Sequence, residues 1–356
     1  MKSWTGRLGP LSVIPYRGYG TKDMIELRGR VVEDKPFQAA RETDTSLDDL
    51  RNMYRRFTRM PIPGEEVQAI FRGQERKGLT DPTGYFHVRF SPLAHVHELW
   101  HGVSLHLRNN PSIRAEGQVL IPPENAGHAI ISDIDDTVLP THATNFIRMM
   151  KSIYTGSSRT RLPFPGVGAF YRALHLGPDG EPLSPLFYVS RGPWNLFELL
   201  SEFFQLHDIP IGPILFLRDW GLSREGLAPA APRGHKFALI TSLIRAYDFL
   251  PFILIGDSGQ KDPEIYTEVI REHPGRVKAV YIREVTNDPE RIEAIHKLAL
   301  ELGRFGSPLV LARDSIEMGR HAAGKGWIEQ RHLDEIRGEK AASEEPPSLL
   351  ETVAPK

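Results

Sequence analysis

Ala129-Ile130-Ile131-Ser132-Asp133-Ile134-Asp135-Asp136-Thr137-Val138 decides how the rest of the chain is read. Its apolar start has the length and composition of a strand buried on both faces. Where such a strand should end and turn, Asp133, Asp135, Asp136 and Thr137 arrive together. Two like charges about 4 Å apart repel by roughly 4 kcal/mol at an effective dielectric near 20, so this group demands a cation, a proton or open water.

Downstream, apolar runs at residues 185–189, 213–217, 252–255, 277–282 and 308–312 repeat that of residues 129–134, with helical segments between them. The segment from Pro193 to Leu206 opens with proline at a first-turn position and carries Leu196, Leu199, Leu200, Phe203 and Phe204 at helical spacing. Strand and helix in alternation predict a doubly wound parallel sheet, an α/β domain over residues 126–337, with function in the crevice at the carboxyl ends of the strands. From about Gly338 the composition turns to Glu, Ala, Ser and Pro, which predicts a disordered tail over residues 338–356.

Upstream, residues 1–125 look β-rich. Residues 24–32, 67–71, 84–90 and 102–107 alternate apolar and polar between Gly, Pro and Asp turns, the spacing of a sandwich-like accessory domain. One helix is expected within it, about residues 45–60, with Arg51, Arg55, Arg56 and Arg59 off its apolar face. The pattern His97-Glu98-Leu99-Trp100-His101 matches a zinc-binding helix motif. The alternation continuing through Gly102 to Leu107 makes it strand instead, where positions four apart lie about 13 Å apart and cannot share a metal.

With 44 basic and 45 acidic residues in 356, no whole-molecule field draws nucleic acid, and none is expected as a partner. The absence of cysteine excludes disulfides and thiolate metal sites and fits a reducing, cytoplasmic compartment. The longest apolar runs, such as residues 249–255, are far too short to span a bilayer, so no transmembrane segment is expected.

Four features fall at the predicted strand ends, in order: Asp133, Asp135 and Thr137; Ser190; Lys236 within Gly234-His235-Lys236; and Gly256-Asp257-Ser258-Gly259-Gln260-Lys261-Asp262. Together this set resembles the haloacid dehalogenase (HAD) superfamily of phosphotransferases. The resemblance implies a Mg²⁺-dependent site. Asp133 is the expected nucleophile and Asp135 the acid and base that moves the proton. Asp133 and Asp257 are expected to bind the cation directly, with the backbone carbonyl of Asp135, and Asp262 through water or in support of Asp257. Ser190 and Lys236 are expected on the phosphoryl group and the nucleophile, with Thr137 toward the substrate; Arg191 departs from the small polar residues more usual there and is expected either to bind substrate charge or to shift selectivity to another phosphoester. Asp136 receives no role beyond the turn.

Longer strings narrow the resemblance. Ser132 to Thr137, Phe187 to Ser190 followed by Pro193-Trp194-Asn195-Leu196, Leu217-Arg218-Asp219-Trp220, and Gly256 to Tyr266 look like the catalytic domain of the actin-patch type of phosphatidate phosphatase, over about residues 127–290. Tyr16-Arg17-Gly18-Tyr19-Gly20-Thr21 looks like the accessory region of bacterial members. The resemblance implies release of phosphate from phosphatidate-like lipids to give diacylglycerol, by an enzyme that is cytoplasmic and peripheral at the membrane. The alternatives are a soluble, phosphoprotein or polynucleotide-end substrate, and a lipid or cytoskeletal binding module. Some fifty residues on each side of Ser190 leave no room for a large cap domain, and the segment from Phe146 to Arg161 reads either as an apolar and cationic rim or as a core helix with a polar loop.

Overall fold

A computed structural model describes residues 10–33, 59–93, 95–138, 163–192, 194–216 and 234–344. The expected helix near residues 45–60 (but for Arg59 and Met60), the rim from Phe146 to Arg161 and the Leu217–Trp220 string lie outside them.

The run at residues 129–134 is strand β9 (Ala129–Asp133), buried at every position. β10 (Leu186–Ser190), β11 (Ile214–Phe216), β12 (Phe252–Asp257), β13 (Val277–Arg283) and β14 (Leu309–Ala312) join it in a six-stranded parallel sheet of order β11-β10-β9-β12-β13-β14. Burial on both faces explains why these strands read as continuous apolar runs. Ile130, Ile253 and Tyr281 point to one layer of helices: α1 (Val167–Leu176), α2 (Phe197–Leu206), α6 (Ser315–Gly324) and α7 (His332–Glu344). Ile131, Leu254 and Ile282 point to the other: α3 (His235–Ala246), α4 (Asp262–Glu272) and α5 (Pro289–Gly303). The doubly wound parallel sheet is therefore as expected. The winding reverses between β9 and β12, which opens a crevice at their carboxyl ends.

α7 corrects the expected tail, since it runs from His332 through Gly338 to Glu344. Glu339 pairs with Arg172 at 2.8 Å and Lys340 with Asp314 at 2.7 Å, so what reads as a polar tail is tied to α1 and α6.

The upstream strands are β1 (Leu11–Pro15), β2 (Gly18–Gly20), β3 (Ile25–Glu33), β4 (Glu66–Phe71), β5 (Gln74–Leu79), β6 (Tyr85–Phe90), β7 (Trp100–Leu107) and β8 (Asn110–Leu120). They do not form the expected two-sheet sandwich. Their order β1-β3-β2-β8-β7-β4-β5, with β6 also on β3, makes one mostly antiparallel sheet. It rolls until β5 nears β6: a Cβ at Gly78 would lie 3.2 Å from the His87 carbonyl oxygen. Alternation and turn spacing are alike in two sheets and in one rolled sheet, so only long-range pairing separates them. His101 lies on β7, as its alternation predicts.

The two sheets share cores. Tyr16 stacks on Trp194, with centroids 4.7 Å apart, and belongs to the core under α1 and α2. Tyr19 meets Phe187 edge-on and belongs to the core on the opposite face. Tyr247 Oη donates to Gly20 O at 2.8 Å, and Arg17 Nη1 to Ser201 Oγ at 2.8 Å. No helix among the described residues is long and apolar enough to cross a membrane.

Candidate active site

The crevice is built from the ends of five elements. β9 ends on Asp133, β10 on Ser190 and β12 on Asp257, while Lys236 lies in the first turn of α3 and Asp262 opens α4. A carboxylate at a helix N-terminus is favoured by the exposed N–H groups there. Asp262 can approach β12 only because residue 256 is glycine: a Cβ there would come within 2.7 Å of the Asp262 Cβ.

Lys236 Nζ, 5% exposed, lies 2.9 Å from Asp133 Oδ2 and 2.5 Å from Asp262 Oδ1. Burial alone would lower this ammonium, but the Asp133 and Asp262 charges outweigh it and hold its pKa above the usual lysine value. Asp262 Oδ2 in turn accepts from Asp257 N at 3.3 Å. Both its oxygens are thus engaged, which fits the supporting role expected of it better than direct contact with a cation.

One oxygen each of Asp133, Asp257 and Asp262 lies within 4.8 Å of the others. Asp257 Oδ1 accepts from Gln260 N at 2.8 Å, whereas the buried Oδ2 has no hydrogen-bond partner among the described residues. Burial, the Lys236 field working against it, and repulsion from Asp262 and Asp135 leave Asp133 pushed up to about 8. Asp257 is pushed up to about 7, by burial and then by Asp262. Buried carboxylates so crowded, with one unpaired oxygen, fit a small hard cation held by oxygen ligands.

Asp135 stands apart from that trio, with its carboxyl pKa raised mainly by burial, while the Arg191 N–H and guanidinium act the other way. Its carbonyl, expected toward the cation, accepts from Gln260 Nε2 at 3.2 Å and keeps a second lone pair. Ser190 is buried and its Oγ accepts from Gly192 N at 3.0 Å, so its O–H is the group left to donate. The Arg191 side chain is exposed beside the site. Thr137 is 1% exposed and its hydroxyl meets no partner among the described residues. Asp136, at φ 58°, makes the left-handed turn that returns the chain to the core.

All eight residues singled out in the sequence thus gather at one end of the sheet. Three more escaped the sequence. Gln260 joins the two acidic loops. Arg291 on α5 binds Ser258 O at 2.8 Å, Gln260 O and Glu264, clamping the loop after Asp257. Arg283 is buried, and its guanidinium is pushed down to about 10 by desolvation. Each is a polar residue of a kind that is common on surfaces. The one available signal was that Arg283 continues the apolar run of β13.

Residues 128–284 match the family model described as phosphatidate phosphatase APP1, catalytic domain. The similarity is confined to these residues. Phosphatidate phosphatase APP1 of Saccharomyces cerevisiae is 32% identical over 162 residues, covering 45% of this chain and 26% of the yeast protein. An uncharacterised protein of Schizosaccharomyces pombe is 31% identical over 163 residues, covering 46% of this chain and 26% of its own length. The chain therefore spans about a quarter of the curated relatives it matches. Among solved structures, a carbohydrate acetylesterase from Xanthomonas citri covers 80% of this chain and 72% of its own at 10% identity, with a TM-score of 0.27, too low to inform the fold.

Proposed function

We propose that this chain is a Mg²⁺-dependent phosphatase of HAD-like architecture, acting through a phospho-aspartate at Asp133 on phosphatidate and related lipid phosphates. One observation carries the reading: Lys236 sits between Asp133 and Asp262 at the crossover of the parallel sheet, beside the unpaired Asp257 Oδ2. The match to the APP1 catalytic domain supports the lipid substrate. HAD-like architecture draws support from the strand order and from the four motifs at the strand ends.

The residues divide the work. Asp133, Asp257 and the free lone pair of the Asp135 carbonyl would hold Mg²⁺, which when bound withdraws charge from the phosphoryl oxygens. Asp133 attacks phosphorus, and the bond to the leaving glycerol oxygen breaks. Asp135, its pKa raised by burial, gives that oxygen its proton, so diacylglycerol departs neutral. It then takes a proton from the water that attacks the phospho-aspartate, which releases phosphate and restores Asp133. Ser190 and Arg191 bind phosphoryl and substrate charge, and Lys236 offsets charge on the nucleophile. Residues 1–125 serve as an accessory domain to the catalytic domain of residues 126–337, and the protein meets its substrate peripherally at the membrane.

Phosphate release from phosphatidate in mixed-lipid vesicles, with and without Mg²⁺, is compared with release from a phosphopeptide, a phosphorylated oligonucleotide end and a sugar phosphate. Mg²⁺-stimulated release from vesicles alone is expected. Preference for a soluble ester would move the substrate, and no stimulated release from any arm would leave a lipid or cytoskeletal binding module. An active Asp133→Asn protein would refute the nucleophile.

A further inference from the structure

Arg283 ends β13 as the register partner of Asp257 and is 3% exposed. A guanidinium in such a place is costly unless its N–H groups find acceptors. Nε donates to Thr137 O at 3.2 Å and Nη2 donates to Ser315 Oγ at 3.0 Å. Its Cζ lies 4.3 Å from the centroid of the Phe164 ring. The charge thus meets a carbonyl, a hydroxyl and a ring, with Asp314 acting through the longer-range field.

The same residue works through its main chain. Arg283 O accepts from Ser258 N at 2.9 Å, the first residue after Asp257. Its side chain therefore grips the turn that follows Asp133 and Asp135, while its backbone grips the loop that follows Asp257. Those two loops bring in the crowded carboxylates. The turn's own bonds, Val138 N to Ile134 O at 3.0 Å and Thr137 N to Ile134 O at 3.4 Å, hold its shape; beyond the β9–β12 pairing that ends at Ser132 and Ile255, it is tied to the loop after Asp257 by Gln260 Nε2 on Asp135 O and by Arg283.

We propose that Arg283 is a positioning residue that sets the separation of the two acidic loops, so that Asp133 and Asp257 can share one divalent cation. The inference rests on the metal-dependent reading above. Side chains that orient metal ligands typically cost 10–100-fold in metal affinity or activity when they are removed. Lysine keeps the charge but has one amine where arginine has a fork, so it can serve only one of the two acceptors well.

The test uses the full chain as wild type, Arg283→Met, Arg283→Lys and, as control, Arg313→Met at an exposed position on the neighbouring strand end. Mn²⁺ alone is titrated and followed by electron paramagnetic resonance, beside melting temperature and the kcat and KM of phosphate release. Expected is Mn²⁺ binding weaker by roughly 10–100-fold in Arg283→Met, a smaller loss in Arg283→Lys, no change in the control, and a fall in kcat rather than a rise in KM. A folded Arg283→Met protein with wild-type Mn²⁺ affinity overturns the proposal. Should Arg283→Met not fold, Arg283→Lys decides: weaker Mn²⁺ binding supports the proposal, and wild-type affinity overturns it. Wild-type protein that binds no Mn²⁺ overturns it as well. Arg283-dependent Mn²⁺ binding without release of phosphate from any ester would sink the phosphatase reading and leave this one standing.

Discussion

Lys236→Met tests the electrostatics of the crevice without reference to any substrate. The ammonium lies 2.9 Å from one buried carboxylate and 2.5 Å from another. At an effective dielectric near 20 each contact is worth about 6 kcal/mol in gross attraction, most of it spent on desolvating the three groups. Methionine fills similar volume and removes the cation, leaving Asp133 and Asp262 oxygens within 4.8 Å of each other. Their repulsion then exceeds about 3 kcal/mol, to which the burial cost of both charges is added. The folded protein can escape by binding a proton. At pH 7 that costs about 4 kcal/mol for a carboxyl of ordinary pKa near 4, which caps the penalty. The variant is therefore expected to lose about 3–5 kcal/mol at pH 7, as for a buried pair broken on one side. Its native state then holds a proton that the unfolded state releases, so stability falls as pH rises. Asp133, pushed up to about 8 in the wild type, already holds such a proton at pH 7, so the deficit is level below about pH 7 and widens as pH rises through about 8. Urea unfolding of both proteins in EDTA from about pH 6 to 9.5 measures this. A deficit under about 1 kcal/mol, or one independent of pH, would show that Lys236 does not bridge buried charges.

Other expectations follow from the same geometry. Asp135→Asn should fold as wild type yet release phosphate roughly 10²–10⁴-fold more slowly, the usual contribution of a general acid and base; steady-state kinetics at saturating Mg²⁺ decide it. His128 is 1% exposed, and burial, then Lys278, pushes its imidazole down to about 3. Its unfolded form takes a proton below about pH 6.5 while the folded form does not, so stability is lost as pH falls from there, by up to about 1.4 kcal/mol per unit. His128→Leu should flatten that acid limb in urea titrations, and an unchanged slope would contradict the burial. Tyr16→Leu removes ring contacts to Trp194 and Phe197, both with centroids 4.7 Å away, and should cost about 2–3 kcal/mol. Because Tyr16 lies in the core of the parallel sheet, unfolding should remain a single transition; two separate transitions would show the sheets to be uncoupled.

The parallel strands were legible because burial on both faces leaves an unbroken apolar run with a turn after it, as at Ala129–Asp133. β5 was not, since Gln74-Glu75-Arg76-Lys77 sits at a sheet edge where charged side chains face water. β2 is three residues long with two glycines, and β8 begins with three exposed residues before its alternation sets in. The second half of the helix from His332 to Glu344, from Gly338 on, passed for a tail because its polar residues are held by Arg172 and Asp314, which are remote in sequence.

The sequence by itself determined the alternation of strand and helix that makes the parallel sheet, and it named the carboxylates, serine and lysine of the crevice, because each sits where a strand stops or a helix starts. Tertiary structure decided what these groups do to one another. Only folding puts Lys236 between Asp133 and Asp262, leaves one oxygen of Asp257 unpaired, and runs Arg283 beneath the turn at Thr137. Spacing along the chain sets where a side chain leaves the backbone. The field it feels depends on burial and on neighbours more than a hundred residues away, which no local pattern encodes.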